Sequence, residues 1–497
     1  MSEEKRNRKC TTASYSLELR LLTSKEDEDI LNKRFRVASH IQNVMIKEAI
    51  RRIGNLLRDH EYKELIFKIR IRNKWTKEEK KALQVFYNKY GLSEYSFHKY
   101  VDSGQKQYKK NIDCHTRQKE ASKVWKATKD FLFGKGEAIH MKSYRKKKSV
   151  EGKSNVSGIR YRDEHVDWMG LHMPVRIKDK DIYAKQCLKD ARIKYCRIKR
   201  KWHKHKWRYY VDLVMEGIPP LKRREIGKGR TGIDIGTSTI AAMSEANILF
   251  KELNDGIAPI DKEIKRLNRK ADRQRRACNP ENYNADGTIK RNSKTFHRRW
   301  HISRNLKETY DRIRELYQKR ANKLNQFQNV LANQIVSMGD EIVVETMSFK
   351  GLQKKSRKTE KSEKTGRYKK KKRFGRSIQI HAPASLIAKV KIKMAYQGGK
   401  VIEVKTGKLK ASQYNHITGE YMSSALNRRW KELIPGISVQ RDLYSAFLLF
   451  NIKDEETIDD ELCEQTFDNF YDSHNRLIEE LRKEKQEGKH FPSCMGI

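Results

Sequence analysis

Three carboxylates, each at the edge of a short apolar segment, constrain the fold of this chain more than any other feature. They are Asp234 in a Gly-Ile-Asp-Ile-Gly motif, Glu345 after Ile-Val-Val, and Asp442 just before an apolar stretch that begins at Leu443. These separated segments must converge on one sheet if the side chains are to meet. Carboxylate oxygens suit Mg²⁺, and two such ions can activate a water and stabilise the leaving oxygen of a phosphodiester. The layout therefore predicts a metal-dependent phosphodiester-cleaving site.

Each carboxylate taken alone also has a purely structural explanation. Asp234, two residues before Gly236, could be a turn residue, and Glu345 could be an ordinary acid at a strand end. Asp442 is placed where a helix N-cap would accept backbone N–H bonds. The combination favours catalysis because all three fall where an α/β sheet would present a site.

The net charge points to the partner. The 497 residues contain 111 Lys+Arg against 63 Asp+Glu, a formal net charge of +48. Such an excess self-repels without an anionic partner, and a nucleic-acid backbone offers a dense row of negative charge. We expect no membrane partner, because no apolar run is long enough to span a bilayer and no apolar segment follows the N-terminal residues. We expect a cytoplasmic, nucleoid-associated protein.

Cysteine usage argues against a disulfide framework. The seven cysteines are odd in number and widely spaced, and none forms a CxxC pair. We expect reduced, mostly structural thiols.

The predicted elements fall into two regions, separated by a linker at 219–224. A strand with period-two alternation is predicted over 15–22, followed by a helical region from about 26 to 133. Strands return over 159–214 and flank a very basic stretch, 199–208. This order predicts a β-hairpin or small barrel that is interrupted by a helical insertion.

Beyond the linker, strand and helix alternate, which predicts an α/β layered domain. The predicted elements are a hairpin over 231–243, a long amphipathic helix over 306–335, a strand over 341–345, a helix over 384–396, a strand over 401–404 and a short apolar helix over 443–450.

The acidic motifs, in this order, closely resemble the split RuvC-like nuclease domain of the TnpB proteins and of their relatives, the miniature type V CRISPR effectors. The resemblance covers about 228–452 and is also carried by Ser412-Gln413, Arg441-Asp442 and Phe374-Gly375-Arg376-Ser377-Ile378. It implies an α/β protein with an RNase H-like (RuvC) nuclease domain, a β-barrel wedge domain and an inserted helical recognition domain. The implied divisions are wedge 1–25, helical recognition domain 26–150, wedge 151–225, RuvC-like domain 226–405, a target-nucleic-acid-binding loop without zinc 406–440, the last RuvC-like segment 441–453, and an acidic C-terminal tail 454–497.

The resemblance implies an RNA-guided endonuclease that cleaves double-stranded DNA complementary to a bound guide RNA, next to a short flanking motif. Asp234, Glu345 and Asp442 are then implied as ligands of two Mg²⁺ ions, with Mn²⁺ as a possible substitute. The implied partners are guide RNA and target DNA, and we expect a monomer in preference to a homodimer. Sequence would be read by base pairing.

Two departures from the family pattern concern the segment before Asp442. The family often binds a structural zinc there through two CxxC pairs, but this chain has no cysteine in the segment, and His416 is the only possible ligand. Zinc needs about four ligands, so zinc is not expected. Hydrophobic contacts of Tyr414, Tyr421, Leu426 and Trp430 are expected to replace it. Tyr444 stands where the family often has Asn, which affects the finer geometry around Asp442.

Basic residues interleaved with tryptophans are the predicted nucleic-acid contacts, because cations pair with phosphates and indoles stack on bases. The predicted residues are Lys199, Arg200, Lys201, Trp202, Lys204, Trp207 and Arg208 in the hairpin, and Arg145, Lys146 and Lys147 in a second basic run. The alternative is that both tryptophans pack inward and the cations are only solvated.

Three other functions remain open at this stage. The chain could be an RNA-guided DNA-binding repressor without cleavage, a transposon-encoded protein that acts in transposition, or a general RNA-binding protein. The last would leave the three carboxylates unexplained.

Overall fold

The computed structural model divides the chain into two units, Met1–Pro220 and Leu221–Ile497, and the boundary falls in the predicted linker. The structure describes residues 13–72, 76–104, 108–203, 206–220, 225–254, 256–293, 296–354, 359–362, 366, 374–422, 425 and 428–497, without the side chains of residues 70–72, 104, 145 and 408.

The first unit is built on a seven-stranded antiparallel sheet of order β2-β6-β7-β1-β5-β4-β3. Its strands are β1 (Ser14–Leu21), β2 (Ser149–Glu151), β3 (Arg160–Arg162), β4 (His165–Trp168), β5 (Leu171–Arg176), β6 (Ile193–His203) and β7 (Lys206–Glu216). The sheet curls, and Asn155 links its two ends by bonding to Lys194 O through its main-chain N–H and to Tyr161 through its side chain. Within the described residues the ends are joined by this residue and not by a closed ladder, so the predicted barrel is a curled sheet.

Helices are inserted between the first two strands of this unit, as the sequence predicts. They are α1 (Lys25–Leu56), α2 (His60–Arg72), α3 (Lys77–Lys89), α4 (Glu94–Gly104) and α5 (Cys114–Leu132), and α6 (Ile182–Asp190) follows β5. A capping box of Ser24 and Asp27 starts α1. The helical stripe that includes Phe35, Ala38 and Ile41 is fully buried, because residues three apart share one face of a helix.

The second unit contains a five-stranded mixed sheet of order β10-β9-β8-β11-β12. The strands are β8 (Arg230–Ile235), β9 (Thr239–Ser244), β10 (Ile248–Glu252), β11 (Glu341–Glu345) and β12 (Lys400–Val404). The first three form an antiparallel meander, whereas β11 runs parallel to both β8 and β12. Two small hairpins follow, β13 (Tyr414–Asn415) with β14 (Glu420–Tyr421) and β15 (Trp430–Ile434) with β16 (Ile437–Gln440).

Helices cover both faces of this sheet, which gives the unit its mixed α/β architecture. They are α7 (Ala258–Ala277), α8 (Arg304–Val336), α9 (Phe349–Leu352), α10 (Gly375–His381), α11 (Pro383–Tyr396), α12 (Thr406–Leu409), α13 (Arg441–Phe450) and α14 (Asp460–Gln486). Ile233, Ile235 and Val344 share a hydrophobic cluster with α8 and α11. On the opposite face, Ala241 and Val343 share a cluster with α13 and α14.

Helix α8 belongs to two hydrophobic clusters. Its C-terminal part, including Leu331 and Ile335, packs on the sheet. Its N-terminal part, including Leu306 and Ile313, packs instead against α7, which the sequence reading did not identify as a helix. The two helices therefore form a hairpin with its own small core.

The acidic segment 454–497 contains the helix α14, which the sequence analysis does not identify. Asp459 caps α14 by accepting the Leu462 N–H, and Cys463 and Phe470 on that helix are fully buried. They join the same hydrophobic cluster as α13. The acidic side chains thus lie on the outer face of a helix that completes the core.

No described helix combines the length and the apolar character needed to cross a membrane.

Candidate active site

Strand β8 presents Asp234 on the face of the sheet that α13 covers. Ile233 and Ile235 are buried at 0% and 3% exposure in the cluster on the other face. Asp234 lies opposite Ala241, which belongs to the α13 cluster. Successive side chains of a strand point to opposite faces, so the hydrophobic demands of Ile233 and Ile235 fix the direction of the carboxylate between them.

The register between β8 and β11 places Glu345 beside Asp234. The parallel ladder ends with Val344 opposite Ile233, and the same register continued by one residue would set Glu345 beside Asp234. Neighbouring strands lie about 4.8 Å apart, and residues in register in a parallel pair point to the same face. Two of the three carboxylates are therefore neighbours because of strand pairing alone.

Gly232 allows α13 to bring the third carboxylate to the same face. A Cβ atom at this position would lie 2.1 Å from Ala446 O and 2.3 Å from Phe450 N, both in the backbone of α13. Only glycine permits this approach of helix to strand. Asp442 is in the first turn of α13, so this packing carries it toward Asp234.

Asp442 is not the helix N-cap, which excludes one structural explanation of its presence. Gln440 is the cap, and its Oε1 accepts the Leu443 N–H at 2.9 Å. One oxygen of Asp442, Oδ1, accepts hydrogen bonds of 3.2 and 3.4 Å from the guanidinium of Arg441. The Asp442 carboxylate therefore does not serve as the N-cap of α13.

The charges of Asp442 and Glu345 influence Asp234. Burial, together with the negative charges of Asp442 and Glu345, raises the pKa of Asp234 well above its usual range, against smaller opposing effects of Arg441 and Ser445. Burial also raises the pKa of Glu345, and the nearby Ala411 N–H and Thr406 hydroxyl oppose this rise. A site that raises the pKa of its own acids in this way favours a cation.

The donor set fits a hard divalent cation. Glu345 Oε1 is buried and has no hydrogen-bond partner among the described residues, so it offers a free oxygen. Across the described part of the chain, however, no group of three or more His, Cys, Asp or Glu side chains forms a ready-made metal cluster. Like charges repel, and Asp442 is turned to Arg441. The carboxylates are neighbours that a cation would draw closer.

Gln440 connects α13 to the rest of the unit, a role that the sequence analysis did not identify. It is fully buried, its N–H donates to His474 Nε2 at 2.9 Å, and its Nε2 donates to Met495 O at 3.3 Å. Gln is not a common N-cap. Its longer side chain lets one residue cap α13 and also bond the segment after α14, and so position Asp442.

The Phe374–Ile378 motif lies in and just before α10, next to the turn that follows Asp234. Ser377 Oγ donates to Thr237 O at 3.1 Å, which fixes this short helix against the β8–β9 turn. Arg376 is exposed on the same helix. The motif thus has a place beside the acidic site.

The segment before Asp442 is held by core contacts. His416 is 5% exposed, and its Nδ1 and Tyr444 Oη lie 2.7 Å apart. Tyr444 is fully buried, so its substitution for Asn serves the core and not the carboxylate site. Tyr414 and Trp430 join the main cluster, whereas Tyr421 is 52% exposed, with its ring 4.8 Å from that of Tyr414. Leu426 lies outside the described residues.

Two of the predicted nucleic-acid contacts are wrong, because their charges are used inside the first unit. Arg200 is 1% exposed, and its guanidinium donates to Lys147 O and to Tyr144. Lys147 is 8% exposed and pairs with the buried Glu120. Neither side chain offers a phosphate an exposed charge that is free of other partners.

The remaining predicted contacts differ in exposure. Lys199 and Lys201 both pair with Glu18, and Lys199 also pairs with Asp212, so their charges are largely compensated. Trp202 and Trp207 meet edge to face at 5.1 Å, and Arg208 is half-buried beside them.

Lys146 is exposed in a short turn and stays a predicted contact. Lys204 lies outside the described residues, as does the side chain of Arg145.

Comparisons with known proteins give structural neighbours only. No protein-family model and no curated protein matches the chain. A cryo-EM structure of a Cas12f1–sgRNA–target DNA complex matches with a TM-score of 0.43 and 12% identity over 88% of this chain and 99% of that chain. A cryo-EM structure of a CRISPR-Cas12f ternary complex matches with a TM-score of 0.26 and 13% identity over 88% and 83%. Both TM-scores are below 0.5, so this likeness carries no argument about the function of the chain.

Proposed function

We propose that the chain is an RNA-guided DNA endonuclease and that Leu221–Ile497 is its RNase H-like (RuvC) nuclease unit. One observation carries the proposal: Asp234, Glu345 and Asp442, from three separate elements, converge closely enough that the last two raise the pKa of the first. Acids that repel one another lower the stability of the fold, and such groups are typical of sites that bind a ligand or carry out a reaction. The motif order and the excess of positive charge support nucleic acid as the substrate.

The three carboxylates would hold divalent magnesium, or manganese in its place. When bound, these ions activate a water and stabilise the charge that develops on the phosphodiester. Glu345 offers an Oε1 atom that has no hydrogen-bond partner among the described residues. The negative charges of Glu345 and Asp442 both raise the pKa of Asp234. Asp234 must lose its proton to bind a cation, so metal binding and deprotonation are linked.

Residues around the acids hold them in place. Arg441 stabilises the negative charge of Asp442, and Ser445 opposes the rise in the pKa of Asp234. Gln440 fixes the first turn of α13, and Gly232 fixes the distance of that helix from β8. The residues of the chain thus orient the three carboxylates, while the bound ions would supply the positive charge that the reaction needs.

The first unit is proposed to hold the guide RNA through a wedge sheet and a helical recognition insertion. Target DNA would be read by pairing with the guide, so the protein would need to contact backbone phosphates and a short flanking motif. The segment 406–440 is proposed to contact the target without zinc. The net charge of +48 fits partners of this kind.

The test begins with the RNA that co-purifies with the protein. Sequencing it should give one structured species with a variable end. The complex is then assembled with a guide that matches a plasmid and incubated with Mg²⁺. We expect cleavage by the wild type and none by Asp234→Asn.

Glu403→Gln is a matched control, because Glu403 is an exposed carboxylate on the neighbouring β12 that pairs with Lys391. It should cleave normally. Undiminished cleavage by Asp234→Asn would refute the site, whereas guided binding without cleavage by the wild type would assign the chain to the RNA-guided repressors.

A further inference from the structure

A lysine-rich loop of the first unit, residues 142–148, is fixed through its backbone. Asn43 on α1 accepts the Lys142 N–H and donates to Lys142 O, both at 2.9 Å. At the other end, the main-chain N–H of Arg200 donates to Lys148 O at 2.9 Å. Both ends of the loop are therefore tied to regular secondary structure.

The buried Arg200 holds the middle of the same loop. Its Nε donates to Lys147 O at 2.9 Å, and its two terminal nitrogens donate to the hydroxyl and the carbonyl of Tyr144 at 2.7 and 3.2 Å. Its guanidinium also lies over the rings of Phe35 and Trp207, at 4.8 and 4.4 Å from the centroids. Each of these contacts restrains the backbone or the base of the loop and leaves its lysine side chains uninvolved.

The lysines of the loop surround a cavity of about 210 Å³. The side chains at its rim and wall are those of Lys123, Lys142, Lys146, Lys147 and Lys148, which together we call the lysine cavity. Lys142, Lys146 and Lys148 are exposed, whereas Lys147 is buried at its base.

The lysine cavity has more positive charge than its acids can balance. Glu120, which is fully buried, bonds Lys123 through one oxygen and Lys147 through the other, so both of its oxygens are used. Among the described residues, Lys142, Lys146 and Lys148 have no salt bridge. Burial, with smaller contributions from the charges of Lys123 and Lys142, lowers the pKa of Lys147 to about 8 against the opposing effect of Glu120.

We propose that the lysine cavity binds a phosphate group of a nucleic-acid backbone. Several ammonium groups around one concavity repel each other, and a bound phosphate, with its charged oxygens, removes that repulsion. Since the backbone is fixed in advance, little conformational entropy is lost on binding. The site lies in the first unit and needs neither a divalent cation nor cleavage, so it can be tested apart from the nuclease proposal.

The first test measures binding of a short labelled single-stranded RNA to the full chain in EDTA by fluorescence anisotropy. The variant Lys142→Gln/Lys146→Gln/Lys148→Gln removes three exposed charges from the cavity. Its control, Lys178→Gln/Lys180→Gln/Lys185→Gln, removes three exposed charges elsewhere in the same unit. We expect at least a tenfold loss of affinity for the cavity variant, with a salt slope shallower by about 2, and less than a threefold loss for the control. Equal losses would show a general charge effect and overturn the proposal.

The second test asks whether the ligand of the lysine cavity is a nucleic-acid backbone or free phosphate. It also asks whether the hydrogen bonds of Asn43 to the loop contribute to binding. Calorimetric titration with inorganic pyrophosphate should show binding to the wild type and weaker binding to the cavity variant. If only pyrophosphate binding changes and RNA binding does not, a nucleic-acid ligand is refuted and free phosphate takes its place. Asn43→Ala removes the two hydrogen bonds that hold Lys142, so it should weaken RNA binding about threefold. The salt slope should stay the same, because the variant changes no charge. Unchanged affinity in that variant would refute the role of the fixed loop.

Discussion

Replacing Gly232 by alanine should inactivate the protein without touching any carboxylate. The added Cβ would lie 2.1 Å from Ala446 O, and real contacts of this kind are not shorter than 3.0 Å, so α13 must move away from β8 by about 0.9 Å. Asp442 is carried on α13 and would move with it. A misplacement of about 1 Å at a reacting centre can reduce a rate about 100-fold. Overpacking of this kind should also lower the free energy of unfolding by about 1–3 kcal/mol.

The assay is single-turnover cleavage of a guide-matched DNA, together with urea unfolding and measurement of target binding. Gly407→Ala is the matched control, because a Cβ at Gly407 meets nothing within 4 Å although the residue follows Thr406 near Glu345. We expect the rate to fall about 100-fold in Gly232→Ala with target binding retained, and to be unchanged in Gly407→Ala. A Gly232→Ala protein that folds and cleaves within twofold of the wild type would refute the packing argument.

Three further predictions follow from the same contacts. Burial lowers the pKa of His416 from 6.5 to about 4, so between these pH values the unfolded chain binds a proton that the folded chain does not. The free energy of unfolding should therefore fall by up to about 3 kcal/mol as the pH drops from 6.5 to 4, and this part of the pH dependence should be absent in His416→Phe when urea unfolding is repeated across that range. Gln440→Leu should lose about 1 kcal/mol of stability and most cleavage activity, whereas Gln440→Ser, which keeps a capping oxygen, should retain more of both in the same two assays. If about ten phosphates are neutralised on duplex DNA, the log–log dependence of affinity on salt should have a slope near −9, and a slope near zero would contradict the charge argument.

The sequence predicted four of the five strands in the sheet of the second unit, because their signal is local. The alternation around Asp234 and the apolar run before Glu345 appear as β8 and β11, and the apolar stretch after Asp442 appears as α13. That Asp234 and Glu345 lie on neighbouring strands could also be expected, since a sheet brings such strands together. The position of Asp442 depends instead on the packing of α13 against β8.

Other features depend on long-range contacts that no local pattern reveals. Gly232 stands in the Gly-Ile-Asp-Ile-Gly motif, yet its role is set by the backbone of α13, more than 200 residues later. Arg200 looked like a phosphate contact because its neighbours are basic, but its burial depends on Tyr144 and Asn32.

Two elements could have been found by a closer reading. Ile260, Ile264 and Leu267 have the spacing of a helical stripe and predict α7. In the acidic segment, Cys463, Phe470 and Leu481 are apolar positions on one helix, but the charge of the surrounding residues concealed the buried face. Composition described the surface of that segment and not its core.

The division of α8 between two cores has a practical consequence for redesigning the protein. Arg320 marks the junction, where it pairs with Asp261 at 2.7 Å and donates to Ile380 O at 3.0 Å. On the N-terminal side of Arg320, α8 packs with α7 in a separate hydrophobic cluster. No residue of that cluster belongs to the cluster on the sheet. The hairpin is thus a modular arm: it could be trimmed by whole helical turns, or replaced by another helical pair, while the chain segments that carry the three acids keep their places.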